Sequence, residues 1–309
     1  MLSPSAWSFK RVTFLSQILN RALLTVCLYT LSAPVVHAGI GLAPLRIETG
    51  PRATALGEAF CAVSADPLAL RYNPAGAIGD YNAAAHVVYQ SVWDNVSSQA
   101  GYLTIARGAV SYNLAMRMVS VTDIPAREDI ASVDPLYSFE SRDFALSVGA
   151  TTRVDDKITV GGLVGVVMEK IDVEKGSALT LDIGAQYRLD STLTLGLAAN
   201  NIGGDVTLVT EPISQPTTVR VGGAWRRADL LFVGDLTHVA KRAHAHGGVE
   251  WRLTREFSLR AGGQSGYDTK TVSAGAGFTG RGARVDYAVT PYQNDFGLAH
   301  QFGVSFFFR

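Results

Sequence analysis

The sequence predicts an all-β protein, a transmembrane antiparallel β-barrel of about fourteen strands preceded by an N-terminal helical or irregular segment, and three observations predict it. From about residue 82 to the end, apolar and polar side chains alternate with period two, as in strands with one apolar face. Beyond the N-terminus no apolar run approaches the roughly 18 residues that a spanning helix needs; the longest is Val160 to Met168. Charged residues make up only 17% of the chain, against about 25% in soluble proteins, while 47% is hydrophobic. That balance excludes wholesale disorder and suits a surface that lies partly in lipid. Formal net charge is zero, so no basic footprint points to nucleic acid.

The first element, residues 1–38, reads as a cleaved signal peptide. Lys10, Arg11 and Arg21 supply positive charge, no acid occurs before Glu48, and the apolar stretch Ala22 to Val36 ends in Val36-His37-Ala38, with small residues where a signal peptidase reads. Cleavage before Gly39 removes Cys27 and leaves Cys61 as the single cysteine, so no intrachain disulfide is expected.

Residues 39–80 do not alternate. They mix apolar residues with Gly and Pro, and a stretch of this length ahead of a barrel is expected to fold into the lumen. Pro74 fixes φ, Asn73 can bond its own backbone and Gly76 permits a positive φ, so a turn is expected there.

Residues 81–309 form the barrel. Alternating segments lie near 82–93, 98–106, 109–120, 141–153, 157–169, 177–189, 192–202, 217–226, 229–238, 245–253, 256–263, 270–278, 283–290 and 299–308. In one of them Leu179, Leu181, Ile183, Ala185 and Tyr187 oppose Thr180, Asp182, Gly184 and Gln186; in the last, Phe302, Val304, Phe306 and Phe308 oppose Gln301, Gly303 and Ser305. Connections after even strands are tight, as at Arg107-Gly108 and Asp190-Ser191, whereas those after odd strands are mostly longer, especially Thr122 to Glu140, Gly203 to Gln215 and Thr290 to His300. Short inner turns alternating with longer outer loops are expected of a bacterial outer-membrane barrel, and a sandwich predicts no such parity. In hydrocarbon an open sheet edge leaves backbone groups unpaired, so the last strand must close on the first. Tyr89, Trp93, Tyr102, Tyr187, Trp225, Trp251 and Tyr287 are candidates for the aromatic girdles.

The inferred lumen face carries Arg117, Asp143, Glu169, Asp182, Arg188, Arg220, Asp235, Glu250, Arg252, Glu256, Arg260, Arg284 and Asp286. Both signs fall on neighbouring strands, with Arg252 expected beside Arg260 and Glu256. Ion pairs that fill or narrow the pore are the general expectation for such an interior, and a specific path for a polar or anionic solute is the sharper one. His244 and His246 should share one face near His238, but no third metal ligand is evident. No phosphate loop, nucleophile elbow or zinc helix motif occurs, so neither cofactor, metal nor enzyme activity is expected.

The run Gly50-Pro51-Arg52-Ala53-Thr54-Ala55-Leu56-Gly57-Glu58-Ala59-Phe60, then Asp66, then the turn Tyr72-Asn73-Pro74-Ala75-Gly76, resembles the N-terminal signature of the PorV/PorQ proteins and, more distantly, of the FadL-like long-chain fatty-acid transporters. The resemblance implies that residues 39–80 form a hatch plugging the barrel from the periplasmic side, with Asn73, Pro74, Ala75 and Gly76 in gating; the alternative is that this motif only ends a helix and starts the first strand. It implies a channel or porin-like transporter for small hydrophobic or amphipathic solutes, or else a PorV-like docking component of a protein secretion or cell-surface attachment system that binds a secreted protein. The charged lumen is less greasy than a fatty-acid conduit would require. The ending Val304-Ser305-Phe306-Phe307-Phe308-Arg309 resembles the signal read by the barrel assembly machinery, departing from it in the final Arg309.

Overall fold

The computed structural model describes Leu42, Ile47 and residues 49–93, 95–127, 134–239, 241–293 and 297–309. The signal segment 1–38 and its cleavage site lie outside the described residues, as does the side chain of Trp93.

Fourteen antiparallel strands close into one barrel, the last pairing with the first. In chain order they are β1 (Ala83–Trp93), β2 (Val96–Arg107), β3 (Val110–Ala126), β4 (Tyr137–Arg153), β5 (Ile158–Ile171), β6 (Glu174–Arg188) and β7 (Leu193–Gly203). After a small hairpin made of β8 (Val206–Leu208) and β9 (Glu211–Ile213) come β10 (Thr218–Arg227), β11 (Leu230–Val239), β12 (Arg242–Arg252), β13 (Phe257–Ser265), β14 (Val272–Gly280), β15 (Ala283–Pro291) and β16 (Leu298–Phe308). Closure is direct: Ala83 pairs with Phe308 and Ser91 with His300, which leaves no edge to satisfy. No helix among the described residues is long and apolar enough to cross a membrane.

The strand register follows the alternation. Outward positions such as Val87, Val164, Leu181, Phe302 and Phe306 are exposed, and each has a buried inward neighbour, as His86, Leu163, Thr180, Gln301 and Ser305 are. Near the tight-turn end, Tyr187, Trp225 and Trp251 face outward within two residues of their strand ends, as an aromatic girdle requires. Tyr89 and Tyr287 face outward in mid-strand. Tyr102 is a correction, because it points inward, is 2% exposed, and its hydroxyl hydrogen-bonds Thr49 Oγ1 at 2.9 Å. On β2 the inward set is Val96, Ser98, Ala100, Tyr102 and Thr104, so the polar-in rule alone misassigned an aromatic that serves the lumen.

The connections also differ in part from expectation. At the long-loop end the loops after β3, β7, β13 and β15 are the longer ones, while β1–β2, β5–β6 and β11–β12 join as tightly as the opposite end. The length goes into the strands instead: β3 and β4 each run 17 residues.

Residues 49–81 lie inside the ring of strands. A short helix (Pro51–Ala55) packs against β13, β14, β15 and β16, and the 3-10 turn Pro67–Arg71 against β1, β2 and β3, while the turn Pro74–Ala77 meets β4, β5 and β6. Proline opens each of the three, where its missing N–H costs nothing. Leu56, Phe60 and Leu68 are fully buried and join Leu70, Tyr72 and the wall residues Val88, Leu163 and Val233 in one apolar core. Fully burying each such side chain contributes about 1.5–3 kcal/mol. Gly57 is the close-approach point of this plug: its φ is +65°, and a Cβ there would stand 2.5 Å from the Gly263 carbonyl oxygen.

Candidate functional site

The plug is held to the wall by a closed circuit of alternating charges. Asp66 Oδ2 accepts from Arg52 Nη1 at 2.8 Å, and Arg52 grips Glu250 with two bonds, Nε to Oε2 at 2.8 Å and Nη2 to Oε1 at 2.9 Å. Glu250 Oε2 takes a second donor, Arg260 Nε at 2.7 Å, and Arg260 Nη1 donates to Asp286 Oδ1 at 2.8 Å. Asp286 Oδ2 receives Arg284 Nε at 2.6 Å, and Arg284 Nη2 returns to Asp66 Oδ2 at 2.8 Å. Three guanidiniums and three carboxylates therefore neutralise one another inside the barrel, two from the plug and four from β12, β13 and β15.

Burial alone would raise the Asp66 carboxyl, but the Arg284 and Arg52 guanidiniums outweigh it and hold that group below the usual carboxylate range. Burial likewise opposes the charge on Arg52, and Glu250 and Asp66 more than restore it. Asp66 and Arg52 are thus held in their charged forms, and the circuit gives every buried charge an opposite one, which is how buried charge is tolerated.

A second anchor uses the backbone of the plug. Asp235 Oδ2 accepts the Phe60 and Cys61 N–H groups at 2.8 and 2.9 Å, and Arg220 Nη1 bridges that same oxygen at 3.2 Å and the Glu58 carbonyl at 2.9 Å. His246 Nδ1 lies 2.8 Å from the Gly57 carbonyl oxygen, and Lys270 Nζ pairs with Glu58 at 3.3 Å. Burial pushes the Cys61 thiol up, and the neighbouring Asp235 charge adds to it, so this cysteine stays protonated and unreactive.

The Asn73 turn forms a third anchor. Asn73 Oδ1 accepts from the Ala75 N–H at 3.1 Å, while Nδ2 donates to the carbonyls of Cys61 at 2.8 Å and Ala185 at 3.0 Å. Thr151 Oγ1 donates to the Pro74 carbonyl at 2.7 Å. Gly76 corrects one expectation. It does not adopt a positive φ; its need for glycine is steric, since a Cβ would stand 2.4 Å from the Val63 carbonyl oxygen.

Of the charges expected in the lumen, Glu250, Arg260, Arg284 and Asp286 come together in the circuit and Arg220 and Asp235 in the second anchor. Arg117 and Asp182 meet at Asn201, Nη2 of Arg117 to Oδ1 at 3.4 Å and the Asn201 N–H to Asp182 Oδ1 at 2.6 Å. They border a small recess, about 20 Å³ in volume, with Leu70, Arg71, Tyr102 and Leu163. Arg188 keeps the inward register but stands at the tight-turn mouth with Arg153 and Lys157. Arg252 is a correction: it is exposed on the rim and pairs with Asp229 at 3.3 Å. Glu256 also lies outside the lumen, in the turn before β13, where its N–H and carboxylate engage Thr254. Arg260 pairs instead across the strands with Glu250. His244 and His246 point inward and His238 outward, and among the described residues no group of three or more His, Cys, Asp or Glu could hold a metal.

Sequence reasoning assigned no role to Arg52, Glu58 or Asp66. The available signal was their rarity: few charges occur in an otherwise apolar, Gly- and Pro-rich segment destined for burial, and each then requires a partner.

No protein family matches the sequence, and no curated protein does. Solved structures do match in fold. The Ralstonia pickettii toluene transporter TbuX superposes with a TM-score of 0.63 at 15% identity, over 84% of this chain and 98% of that one. The Pseudomonas putida toluene transporter TodX gives 0.62 at 11%, over 82% and 95%. A Pseudomonas aeruginosa FadL homologue gives 0.58 at 11%, over 85% and 99%. At these identities the likeness is one of fold: the chain shares the closed fourteen-strand barrel architecture of these structures. None of these three is a docking component, so the PorV-like alternative gains no support.

Proposed function

We propose that the protein is an outer-membrane channel that passes small hydrophobic or amphipathic solutes past the lumenal plug, with residues 49–81 acting as the hatch. The observation that carries this reading is the manner of closure. The plug blocks the barrel through side-chain ion pairs and backbone hydrogen bonds, which can be exchanged, and an inert structural barrel could fill its interior with its own side chains. The outward apolar face and the girdle at Tyr187, Trp225 and Trp251 support a place in a lipid bilayer, where outer-membrane lipid and the barrel assembly machinery are the partners this reading requires. The tight-turn end then faces the periplasm. That the structural relatives TbuX and TodX are toluene transporters supports a small apolar solute.

The test is uptake across an intact outer membrane. Cells expressing the protein should accumulate radiolabelled toluene-sized solutes faster than cells without it, and mass spectrometry of protein purified in mild detergent should show a bound small apolar molecule. Equal uptake with and without the protein overturns the proposal.

A further inference from the structure

We propose that Asp143 and Glu169, on the long-loop half of the lumen and apart from the plug's charge circuit, form a binding site for a hard divalent cation of the calcium type. The register of β4 and β5 sets the two residues directly opposite each other. Both point inward and both are buried, Asp143 at 1% exposure and Glu169 at 7%. Among the described residues neither oxygen of Asp143 has a hydrogen-bond partner, and neither does Glu169 Oε2.

The other buried carboxylates inside the barrel behave differently. Asp66, Glu250, Asp286 and Asp235 each face a guanidinium, and Glu58 faces Lys270. Among the described residues, the surroundings of the Asp143–Glu169 pair offer no such group. Val119 is the register partner of Asp143 on β3, and Leu42, Ala145, Val167 and Val206 form an apolar cluster one residue pair below. Like charges directly opposite across strands repel, and a carboxylate taken from water without a partner is costlier still. Protons shared between the two groups would remove the charge but leave lone pairs unsatisfied in apolar surroundings. One divalent ion removes both charges and takes several oxygens at once.

The fold brings a further oxygen to this spot. The β8–β9 hairpin lies against β6 at Gly176, the register partner of Glu169. A Cβ at Gly176 would stand 2.4 Å from the Thr207 carbonyl oxygen, so the missing side chain is what admits that carbonyl to the wall. Its cross-strand neighbour in the hairpin is Pro212, which has no N–H to offer it. Carboxylates and a carbonyl, with no imidazole or thiolate, select a hard ion over a transition metal.

The experiment uses the full-length mature protein in detergent, stripped with EDTA and dialysed. Isothermal titration with calcium chloride should show one site per chain, and the unfolding midpoint, read as loss of heat-modifiable gel mobility, should rise by several degrees in millimolar calcium. Asp143→Asn and Glu169→Gln, which keep shape and remove the repulsion, should assemble, lose calcium binding and no longer respond to calcium. Absence of calcium binding to the wild type overturns the proposal. So does an equal response in both variants, or stabilisation by acid alone with nothing added by calcium, which assigns shared protons to the pair. If one variant fails to assemble, the wild-type titration decides the question. None of these readouts depends on solute transport, so the cation site and the channel reading stand or fall separately.

Discussion

Arg52 shares its guanidinium between Glu250 on the wall and Asp66 in the plug, so its removal takes one of two guanidinium partners from each of two buried carboxylates, leaving Glu250 to Arg260 and Asp66 to Arg284, and cuts the direct ion pair between the plug's helix and β12. Breaking a buried pair in this way costs about 3–5 kcal/mol. Arg52→Met should therefore undock the plug while the barrel persists, seen as protease cleavage within residues 49–81 and a rise in single-channel conductance. A docked, silent variant would assign closure to the Asp235 and Asn73 anchors instead. The pH dependence follows from Asp66. Its carboxyl is held below the ordinary range by Arg284 and Arg52, so it contributes stability that is fully present above the unfolded value of about 3.9. That contribution is lost only as pH falls through the depressed native value. The part of plug docking that Asp66 carries, read as the difference in proteolysis or conductance between wild type and Asp66→Asn, should accordingly hold from neutral pH to about 4 and fail only in stronger acid. These pairings were only half legible in the sequence. Alternation placed Glu250, Arg260 and Asp286 on the inward face, but height along the strand separates them from Arg252, which carries the same parity and ends on the exposed rim.

Strands were legible because period two is a local property, and so was the Asn73 turn, whose Ala75 bond is local; the plug's partners on the wall were not, because those contacts are non-local. The weakest expectations fell where the alternation fades: β3 and β4 continue to Ala126 and start at Tyr137, past a register shift between Val121 and Ile124 that interrupts the period. The β8–β9 hairpin is too short to show a period. One pattern did encode the plug: inward glycines mark where it touches the wall. A Cβ on Gly161 would stand 2.6 Å from the Pro74 carbonyl carbon, on Gly184 2.0 Å from Asn73 Oδ1, and on Gly248 2.5 Å from the Leu56 carbonyl oxygen. Adjacent Gly162 faces outward and a Cβ there meets nothing closer than 3.5 Å. Gly161→Val should thus displace the Asn73 turn and raise conductance, whereas Gly162→Val should leave a closed, heat-modifiable barrel. Equal effects from the two would show that strand bending, rather than room for the plug, is what both glycines serve.

At the scale of the whole molecule the claim to be tested is that the surroundings of the barrel are a bilayer rather than water. Ile183 and Leu189 lie on the same outward side of one segment, both nearly half exposed at 47%, so a protein in water would accept Arg at either with similar ease. In a bilayer they differ by depth. Tyr187 marks the interface near the tight-turn end, and with strands tilted about 40° each residue gains roughly 2.5 Å of height, which places Ile183 about 10 Å deeper than the girdle and Leu189 at the headgroups. Arg at the bilayer midplane costs about 2–4 kcal/mol and at the interface about 0–1. Ile183→Arg should therefore lower the unfolding free energy measured in lipid vesicles by the larger amount and Leu189→Arg by the smaller. The gap should shrink in short-chain detergent, whose thinner apolar layer lets the guanidinium reach water. Equal losses in vesicles would remove the depth gradient, and with it the argument that the apolar belt exists to meet lipid.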